Sequence, residues 1–379
     1  MKKTIVILLV CVLVISTCTV LLTACSGKET GITDMVGRTV NVTPGSYKRV
    51  VCIGGGALRL YSYVGDVSLL AGVEDIDNET LEARPKMFDK VARPYVMANK
   101  ETFASLPSCG VGGPNAQAAE AEKILSCNPD IVISEYEDVN KENALQEQLG
   151  IPVVTVKYGE KGVFDKKVQE SLTLLGKIFK AEKKAKKLNE FIEKEKAEIN
   201  KRTKDIPEDQ QKTAYICGLG NWGTTNQYMT AQNYEPMNVA HIKNVITDLA
   251  NDGIQKIEAE KFEAISDKAD FILIDAAAVK NINNAAVSFA NFTAWQNGEV
   301  YLEMAYNAYY TNLEIALANT WFMAKIAYPD KFTDIDMNAK LNEITKAFLG
   351  KEMASDINAC VQSYGGYHKV NTANFPYAA

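Results

Sequence analysis

A helical pattern runs through the middle of the chain, from Asp165 to Arg202. Its apolar residues recur at the three- and four-residue spacing of one helix face, at Val168, Leu172, Leu175, Phe179, Leu188, Ile192 and Ile199. A single helix of this length would extend over more than ~50 Å, which is longer than a small domain is wide. We therefore predict one long bridging helix over residues 165–202 that ties two lobes together. Its many lysines are interpreted as a solvated face paired with nearby glutamates.

Short apolar runs alternate with helical segments on both sides of this helix. After a hairpin at Ile32–Val42, the first half has strand patterns at Arg49–Ile53, Leu69–Val73, Ile131–Ser134 and Val153–Val156. The second half has strand patterns at Thr213–Cys217, Phe271–Asp275 and Glu299–Leu302, and helical patterns at Val239–Ala250, Leu313–Tyr328 and Met337–Leu349. Such alternation indicates an α/β fold with mostly parallel sheets.

The first residues have the layout of an export signal, with Lys2 and Lys3 followed by an uncharged apolar run. A run of that length is also enough to cross a bilayer, so the residues that follow it decide between a cleaved signal and a retained anchor. The stretch Leu22-Thr23-Ala24-Cys25 resembles the bacterial lipobox, in which the cysteine is acylated and becomes the new N-terminus. The resemblance implies lipidation of Cys25.

Charge and cysteine content exclude several kinds of site. The net charge of −6 argues against nucleic acid as a partner, because binding to phosphates needs a basic surface. The mature chain would keep an odd number of cysteines, at Cys52, Cys109, Cys127, Cys217 and Cys360. Their spacing indicates neither a zinc site nor a disulfide framework, and we interpret them as small buried apolar residues.

The order of these segments resembles the substrate-binding proteins of iron–siderophore, haem and cobalamin ABC transporters. The resemblance covers nearly the whole mature chain and rests on several stretches taken together, at residues 32–40, 48–51, 122–125, 128–133, 149–154, 306–312 and 328–332. It implies two Rossmann-like α/β lobes bridged by a rigid helix, with a ligand cleft between them. The walls of such a cleft are loops at the C-terminal ends of strands, as expected for open α/β sheets. A rigid bridge also implies little lobe movement when ligand binds.

The resulting domain prediction is a signal peptide at 1–24, a tether at 25–31, an N-terminal lobe at 32–164, the helix at 165–202 and a C-terminal lobe at 203–379. The resemblance implies a monomeric, extracytoplasmic lipoprotein that binds an iron chelate, without a cofactor, and delivers it to an ABC permease and its ATPase. Haem and cobalamin are the alternative ligands. A chelatase-like enzyme on the same scaffold, or a surface lipoprotein that only scavenges or senses the ligand, are the alternative functions. Neither a nucleophile with an adjacent base nor a set of cysteine ligands supports the enzyme.

Candidate ligand contacts in the first half follow strands. The run Gly54–Gly56, with Gly55 at its centre, could bring backbone amides close to an anionic ligand. Arg59 stands where a dinucleotide fingerprint needs its third glycine, so such a site is not predicted. Arg59 either binds an anionic group of the ligand or forms an ion pair inside the lobe. Tyr136 and Tyr158 follow strands and either face the cleft or pack in its rim.

Candidate contacts in the second half are aromatic. Trp222 lies in a loop after the first strand of that half, and its alternative is packing in a rim. Tyr306, Asn307, Tyr309 and Tyr310 form the densest group of phenols in the chain. As phenolates these tyrosines could ligate ferric iron, and as neutral groups they could hydrogen-bond a chelate. Alternatively, Tyr309 and Tyr310 cap the helix that begins near Leu313.

The remaining candidates are histidines and surface acids. His241 and His368 are too few for a bare transition-metal site, and each is interpreted as structural, with axial haem ligation as the alternative. The resemblance implies one glutamate per lobe that docks to arginines of the permease. Glu122 and Glu260 match those motifs, and the alternative for both is an ordinary solvated carboxylate at the start of a helix.

Overall fold

The computed structural model describes residues 28–113, 120–220, 225–282 and 284–375. The predicted signal peptide, Cys25 and Trp222 therefore lie outside the described residues. Within the described part of the chain, no helix is both long enough and apolar enough to cross a membrane.

The strands divide between the two halves of the chain. The first half contains β1 (Thr30–Thr33), β2 (Thr39–Val42), β3 (Val50–Ile53), β4 (Leu70–Glu74), β5 (Ser108–Gly110), β6 (Ile131–Ser134) and β7 (Val153–Thr155). The second half contains β8 (Thr213–Cys217), β9 (Met229–Thr230), β10 (Lys243–Asn244), β11 (Gln255–Lys256), β12 (Phe271–Asp275), β13 (Val300–Glu303) and β14 (His368–Lys369).

Helices follow most of the long strands. Up to the middle of the chain they are α1 (Ala57–Val64), α2 (Pro94–Ala98), α3 (Lys100–Ser105), α4 (Ala121–Ser126), α5 (Val139–Leu149), α6 (Lys166–Phe179) and α7 (Glu182–Thr203). The second half adds α8 (Glu235–Val239), α9 (Ala259–Glu263), α10 (Ala285–Ser288), α11 (Thr293–Gln296), α12 (Leu313–Ala327), α13 (Met337–Leu349) and α14 (Ala354–Ala359).

Each lobe is built on one five-stranded sheet. In the N-terminal lobe the strand order is β5-β4-β3-β6-β7 and all neighbours are parallel. In the C-terminal lobe the order is β10-β8-β12-β13-β14, parallel except for the β13–β14 pair. Strands β3, β6 and β12 are buried along their whole length, because helices cover both faces of each sheet. These sheets confirm the α/β fold predicted from the alternating pattern.

The bridge between the lobes differs from the single helix predicted over 165–202. Helix α6 ends at Phe179, and Lys180 takes the left-handed conformation with φ 55°. Helix α7 then turns back along α6, and an ideal Cβ on Gly176 would lie only 2.9 Å from the Cβ of Ala185. The prediction of one continuous helix was wrong. Each helix of the hairpin buries an apolar face of its own, and in the sequence the helical spacing of apolar residues continues across the turn, so the pattern does not reveal the break. Helix α7 alone, about 33 Å long, leads to the C-terminal lobe.

The last helices also depart from the predicted boundaries. Residues after 203 were assigned to the C-terminal lobe, yet Phe348 of α13 packs edge-on against Tyr63 of α1, with ring centroids 5.0 Å apart. Farther on, the Gln362 side chain donates a hydrogen bond to the Asp89 carbonyl. One apolar cluster consequently joins α1, α6, α7, α12 and α13. The two lobes share this core, and the end of the chain belongs to both.

The helix predicted at Val239–Ala250 was also wrong. Helix α8 ends at Val239, His241 has a φ of 54°, and β10 then pairs with β8. The Asn244 side chain accepts from the Ile246 N–H and donates to the Ala231 carbonyl. Asparagine side chains that bond to nearby backbone groups compete with the backbone hydrogen bonds of a helix. Here these bonds and the pairing of β10 with β8 replace the helix that the apolar spacing predicts.

Candidate functional site

The strand order predicts that a crevice between the lobes would lie at the carboxyl ends of both sheets. In the N-terminal lobe β3 lies between β4 and β6. The chain runs from β3 to β4 and β5 on one side, and then crosses to β6 and β7 on the other side. Open α/β sheets bind ligands outside the strand ends at such a switch point, and in this lobe Gly54, Glu74 and Glu135 lie there. In the C-terminal lobe, β12 and β13 end at Asp275 and Glu303. Residues 305–312, here called the crossing loop, follow β13 and reach the N-terminal lobe.

Glu74 is held at the end of β4 by the backbone beside it. Its Oε1 accepts a hydrogen bond from the Gly54 N–H at 3.0 Å, and the residue is only 4% exposed. Gly112, at φ 69°, leaves room for the carboxyl, because an ideal Cβ there would lie 2.6 Å from Glu74 Oε2. Burial raises the pKa of Glu74 to about 8, and the carboxyls of Asp77 and Glu135 add to the shift.

Glu135 occupies the matching position after β6. Burial raises its pKa to about 8, although a hydrogen bond from the Tyr310 phenol opposes the shift. Burial also raises the pKa of the Tyr310 phenol, with a further contribution from the Glu135 charge. At neutral pH both Glu74 and Glu135 are therefore largely protonated and able to donate hydrogen bonds.

Tyr310 is the exposed member of this group. It is 41% exposed, and its ring lies 4.9 Å from the ring of Tyr158, at an angle of 34°. Tyr158 is buried and donates a hydrogen bond from its phenol to the Gly56 carbonyl at 2.9 Å. An ideal Cβ on Gly56 would lie 2.3 Å from the Tyr158 ring, so only glycine admits this contact. The absence of a side chain at Gly56 therefore leaves space for Tyr158, which packs against Tyr310, the solvent-exposed ring of the pair.

Arg59 joins the lobes. Its guanidinium is fully buried and donates to the carbonyls of Thr311 and Ala308, both at 2.8 Å, and to the Asn312 side chain at 3.0 Å. The guanidinium carbon also lies 4.7 Å from the ring centroid of Tyr95. These bonds cross between the lobes and hold the crossing loop, an arrangement that differs from both sequence-based alternatives, a ligand contact and an ion pair inside the lobe.

Tyr309 anchors the crossing loop in the N-terminal lobe. It is buried, with a φ of 61°, and its phenol donates to the Pro85 carbonyl at 3.0 Å. The Arg93 guanidinium lies over its ring at 5.4 Å. Gly55 meets the same loop, since an ideal Cβ there would lie 2.9 Å from the Tyr309 carbonyl oxygen. Both residues thus shape the inner end of the crevice.

Tyr306 and Asn307 fix the other end of the crossing loop. The Tyr306 N–H donates to Asp275 Oδ2 at 2.8 Å, and its buried ring packs edge-on against Tyr234. Burial raises the pKa of Asp275 to about 7, and the two backbone N–H donors on that carboxyl oppose the shift. The half-buried Asn307 donates to the Gly220 carbonyl at 2.8 Å.

The structure therefore brings together most of the predicted contacts, namely Gly55, Tyr158, Tyr306, Asn307, Tyr309 and Tyr310, around the crossing loop. Tyr136 lies half-buried after β6, next to Glu135. The sequence interpretation missed Glu74 and Glu135. A usable signal existed, because each is the first acidic residue after a run of buried, mostly apolar residues that forms a strand next to β3.

The histidines stand apart from this crevice. The His241 ring nitrogen Nε2 lies 2.8 Å from Asn200 Oδ1, and His368 is part of β14. Across the residues that the structure describes, no group of three or more histidine, cysteine or acidic side chains is arranged to hold a metal ion.

Glu122 and Glu260 occupy equivalent local settings in the two lobes. Glu122 lies in the first turn of α4 and Glu260 in the first turn of α9. Both side chains are exposed. Each therefore presents its carboxyl group to solvent.

The chain is similar to known proteins both in sequence profile and in structure. The family profile described as "Periplasmic binding protein" matches residues 50–306. MolA of Haemophilus influenzae, bound to molybdate, is 18% identical, with 85% of this chain and 98% of that chain covered and a TM-score of 0.66. A search of curated proteins finds no significant match.

Two further structures extend this likeness. The TroA-like periplasmic binding protein FepB of Veillonella parvula is 20% identical, with 85% of this chain and 97% of that chain covered and a TM-score of 0.61. CeuE of Helicobacter pylori, in a nickel–histidine complex, is 18% identical, with 85% and 96% covered and a TM-score of 0.58. At such identities the structures show a common fold. The family match over residues 50–306 shows more: this chain belongs to the periplasmic binding proteins, the extracytoplasmic solute-binding components of ABC transporters.

Proposed function

We propose that this protein is a lipid-anchored receptor that binds an iron chelate in the crevice and delivers it to an ABC permease and its ATPase. The observation that carries the choice of ligand is the group formed by Tyr310, Tyr158 and Glu135. Tyr310 offers an exposed ring and a phenol at the mouth of the crevice, and Glu135 stands behind it. Siderophore chelates present rings or hydroxamate groups whose oxygens accept hydrogen bonds, which suits such a surface.

The protonation of the crevice supports the same ligand class. Burial holds the pKa of both Glu74 and Glu135 at about 8, so these carboxyls are mostly neutral in a neutral medium. A neutral carboxyl can donate a hydrogen bond to a chelate oxygen and does not repel an anionic chelate. The proposal thus covers both neutral and anionic iron complexes.

The similar structures are consistent with a metal-bearing solute. The MolA structure contains molybdate and the CeuE structure contains nickel. We extend to this chain only the general property that the fold accepts metal-containing ligands, and we assign the iron chelate from the aromatic and carboxyl groups named above.

Transport requires anchoring and docking as well as binding. We propose that Cys25 carries the lipid anchor, because two acyl chains suffice to hold a protein on a membrane. Glu122 and Glu260, each exposed at the start of a short helix, would face cationic side chains of the permease.

The binding proposal is tested by calorimetric titration of the full chain with a ferric catecholate, a ferric hydroxamate, haem, cobalamin and molybdate. A ferric chelate should bind, and Tyr310→Ala should weaken it about tenfold through loss of the aromatic contact. The matched control is Tyr301→Ala, because the Tyr301 phenol also donates to a carboxylate, Glu299 Oε2, at 2.7 Å but at the start of β13. Binding of haem, cobalamin or molybdate alone would overturn the iron assignment.

Docking is tested separately by uptake assays with the Glu122→Lys/Glu260→Lys double variant. Uptake should be lost while the affinity for the chelate is kept, because the reversed charges would repel the permease. The control carries the same change in charge at two other exposed helical sites, Glu101→Lys/Glu170→Lys, and should transport normally. Equal loss of affinity in the docking variant would contradict the assignment.

A further inference from the structure

Two of the cysteines lie at the two ends of the stretch that runs from β5 through α4. Cys109 is in β5 and Cys127 follows α4, and each is 1% exposed. Both belong to the apolar cluster on the α4 face of the sheet, whereas Cys52 of β3 belongs to the cluster on the opposite face. The fold therefore places these two thiols on the same side of the sheet and Cys52 on the other side.

Gly72 of β4 shows how close the two side chains are. An ideal Cβ on Gly72 would lie 2.5 Å from Cys127 Sγ and 3.3 Å from the Cβ of Cys109. The Cys127 thiol also lies 3.6 Å from the carbonyl oxygen of Ser108, the neighbour of Cys109. The two cysteine side chains thus converge on the space that the missing Cβ of Gly72 leaves open.

We propose that Cys109 and Cys127 are a disulfide site that becomes oxidised in the extracytoplasmic space, where disulfides persist. With glutathione disulfide as the oxidant, the Cys127 thiolate attacks one of its sulfurs and releases one glutathione thiolate. The Cys109 thiolate then attacks Cys127 Sγ in this mixed disulfide and releases the second glutathione thiolate. The two cysteines lose two electrons and two protons, and the glutathione disulfide gains the electrons as its S–S bond breaks.

The closed loop would span two functional parts of the lobe. It contains Gly113, whose ideal Cβ would lie 3.1 Å from the Tyr309 ring, and Glu122, the proposed docking residue. A disulfide would covalently join Cys109 before these residues to Cys127 after them. This consequence rests on the proposed function, whereas formation of the disulfide does not.

The test uses the full chain incubated in buffers of rising glutathione disulfide to glutathione ratio, then blocked with N-ethylmaleimide under denaturing conditions and digested. Mass spectrometry should find the Cys109 peptide joined to the Cys127 peptide, lighter by two hydrogen atoms than the two free peptides together. Oxidised wild type should also unfold at higher urea than reduced wild type. Cys52→Ser, the control on the other face of the sheet, should behave like wild type.

Cys109→Ser should show no linked peptide and no difference between the oxidising and reducing buffers. Linkage of either cysteine to Cys52, or glutathione adducts without a Cys109–Cys127 bond, would overturn the proposal. Because linkage is read directly in the wild type, the result does not depend on the variant folding. Failure of chelate binding or uptake would bear on the proposed function alone.

Discussion

Arg59 occupies the boundary between the lobes, where its guanidinium is fully buried and hydrogen-bonds to the crossing loop. Burial disfavours the charged guanidinium, but nearby phenols, such as that of Tyr158, and the Glu314 carboxyl outweigh it and raise the pKa of Arg59. Losing this arginine would leave buried acceptors without donors, a change that is costly in a region of low dielectric constant.

We expect Arg59→Ala to lower the free energy of unfolding by about 3 kcal/mol. Arg59→Lys should lower it less, but should not match the wild type, because a lysine ammonium lacks the planar fork with which the guanidinium reaches three acceptors. Urea unfolding measures the loss. The matched control is Arg49→Ala, which also removes donors to two carbonyls, those of Cys127 and Asn128, but at an exposed site within one lobe. A loss no larger than that of the control would show that Arg59 does not brace the lobes.

The buried carboxyls Glu74 and Glu135 predict a direction for the pH dependence of stability. Their folded-state pKa of about 8 lies above the ordinary value for glutamate, so the folded chain holds protons that the unfolded chain has lost. The stability they contribute is full below about pH 4 and declines as pH rises through about 8, by up to about 1.4 kcal/mol per pH unit for each carboxyl.

Urea unfolding across this pH range should therefore show falling stability, and the slope should be smaller in the variants Glu74→Gln and Glu135→Gln. The exposed substitution Glu101→Gln serves as the control and should leave the slope unchanged. Stability that rises from acid to neutral pH by an amount that depends on Glu135 would contradict the inferred protonation.

At the scale of elements, strands were more predictable than helix ends. A continuous apolar run such as that of β3 identifies a buried strand, because few other structures bury every side chain in a row. The turn at Lys180 carries no such signal, since a left-handed residue after a helix is usually glycine and here it is lysine. The density of tyrosines in the crossing loop indicated a binding role from sequence alone. Its attachment to Arg59 could not be predicted, because it depends on contacts between residues far apart in sequence.

The left-handed turn at Lys180 leads to a prediction of opposite signs for two nearby substitutions. Lys180→Gly should raise the free energy of unfolding by about 1 kcal/mol, because glycine adopts positive φ without steric strain. Lys177→Gly, three residues earlier and exposed inside α6, should lower it by about 1 kcal/mol through the lost helix propensity. Both changes are measured by urea unfolding, and the same sign for both would mean that the turn is not strained.

At the scale of the whole molecule, the shared apolar cluster connects the lobes through α7, α12 and α13. Each lobe has its own sheet, yet the helices that end the chain pack on both. Two lobes that share a core are expected to unfold together, and their relative orientation should change little when a ligand enters the crevice. The sequence analysis expected a single rigid helix to limit the movement of the lobes. We now expect the shared core, to which several helices contribute, to limit it.

This coupling can be tested at Phe348, which is fully buried in α13 and packs on Tyr63 of the N-terminal lobe. We expect Phe348→Ala to lower the free energy of unfolding by about 3 kcal/mol, from lost burial and the cavity left behind. Two probes follow the lobes during urea unfolding: the fluorescence of Trp295 and Trp321 in the second half of the chain, and the reactivity of the buried Cys52 thiol in the first. Both transitions should coincide in the wild type and shift equally in the variant, because each lobe completes the core of the other. Separate transitions, or a shift of only one probe, would mean that the lobes fold as independent units. In that case α7 and the crossing loop alone would set the orientation of the crevice walls.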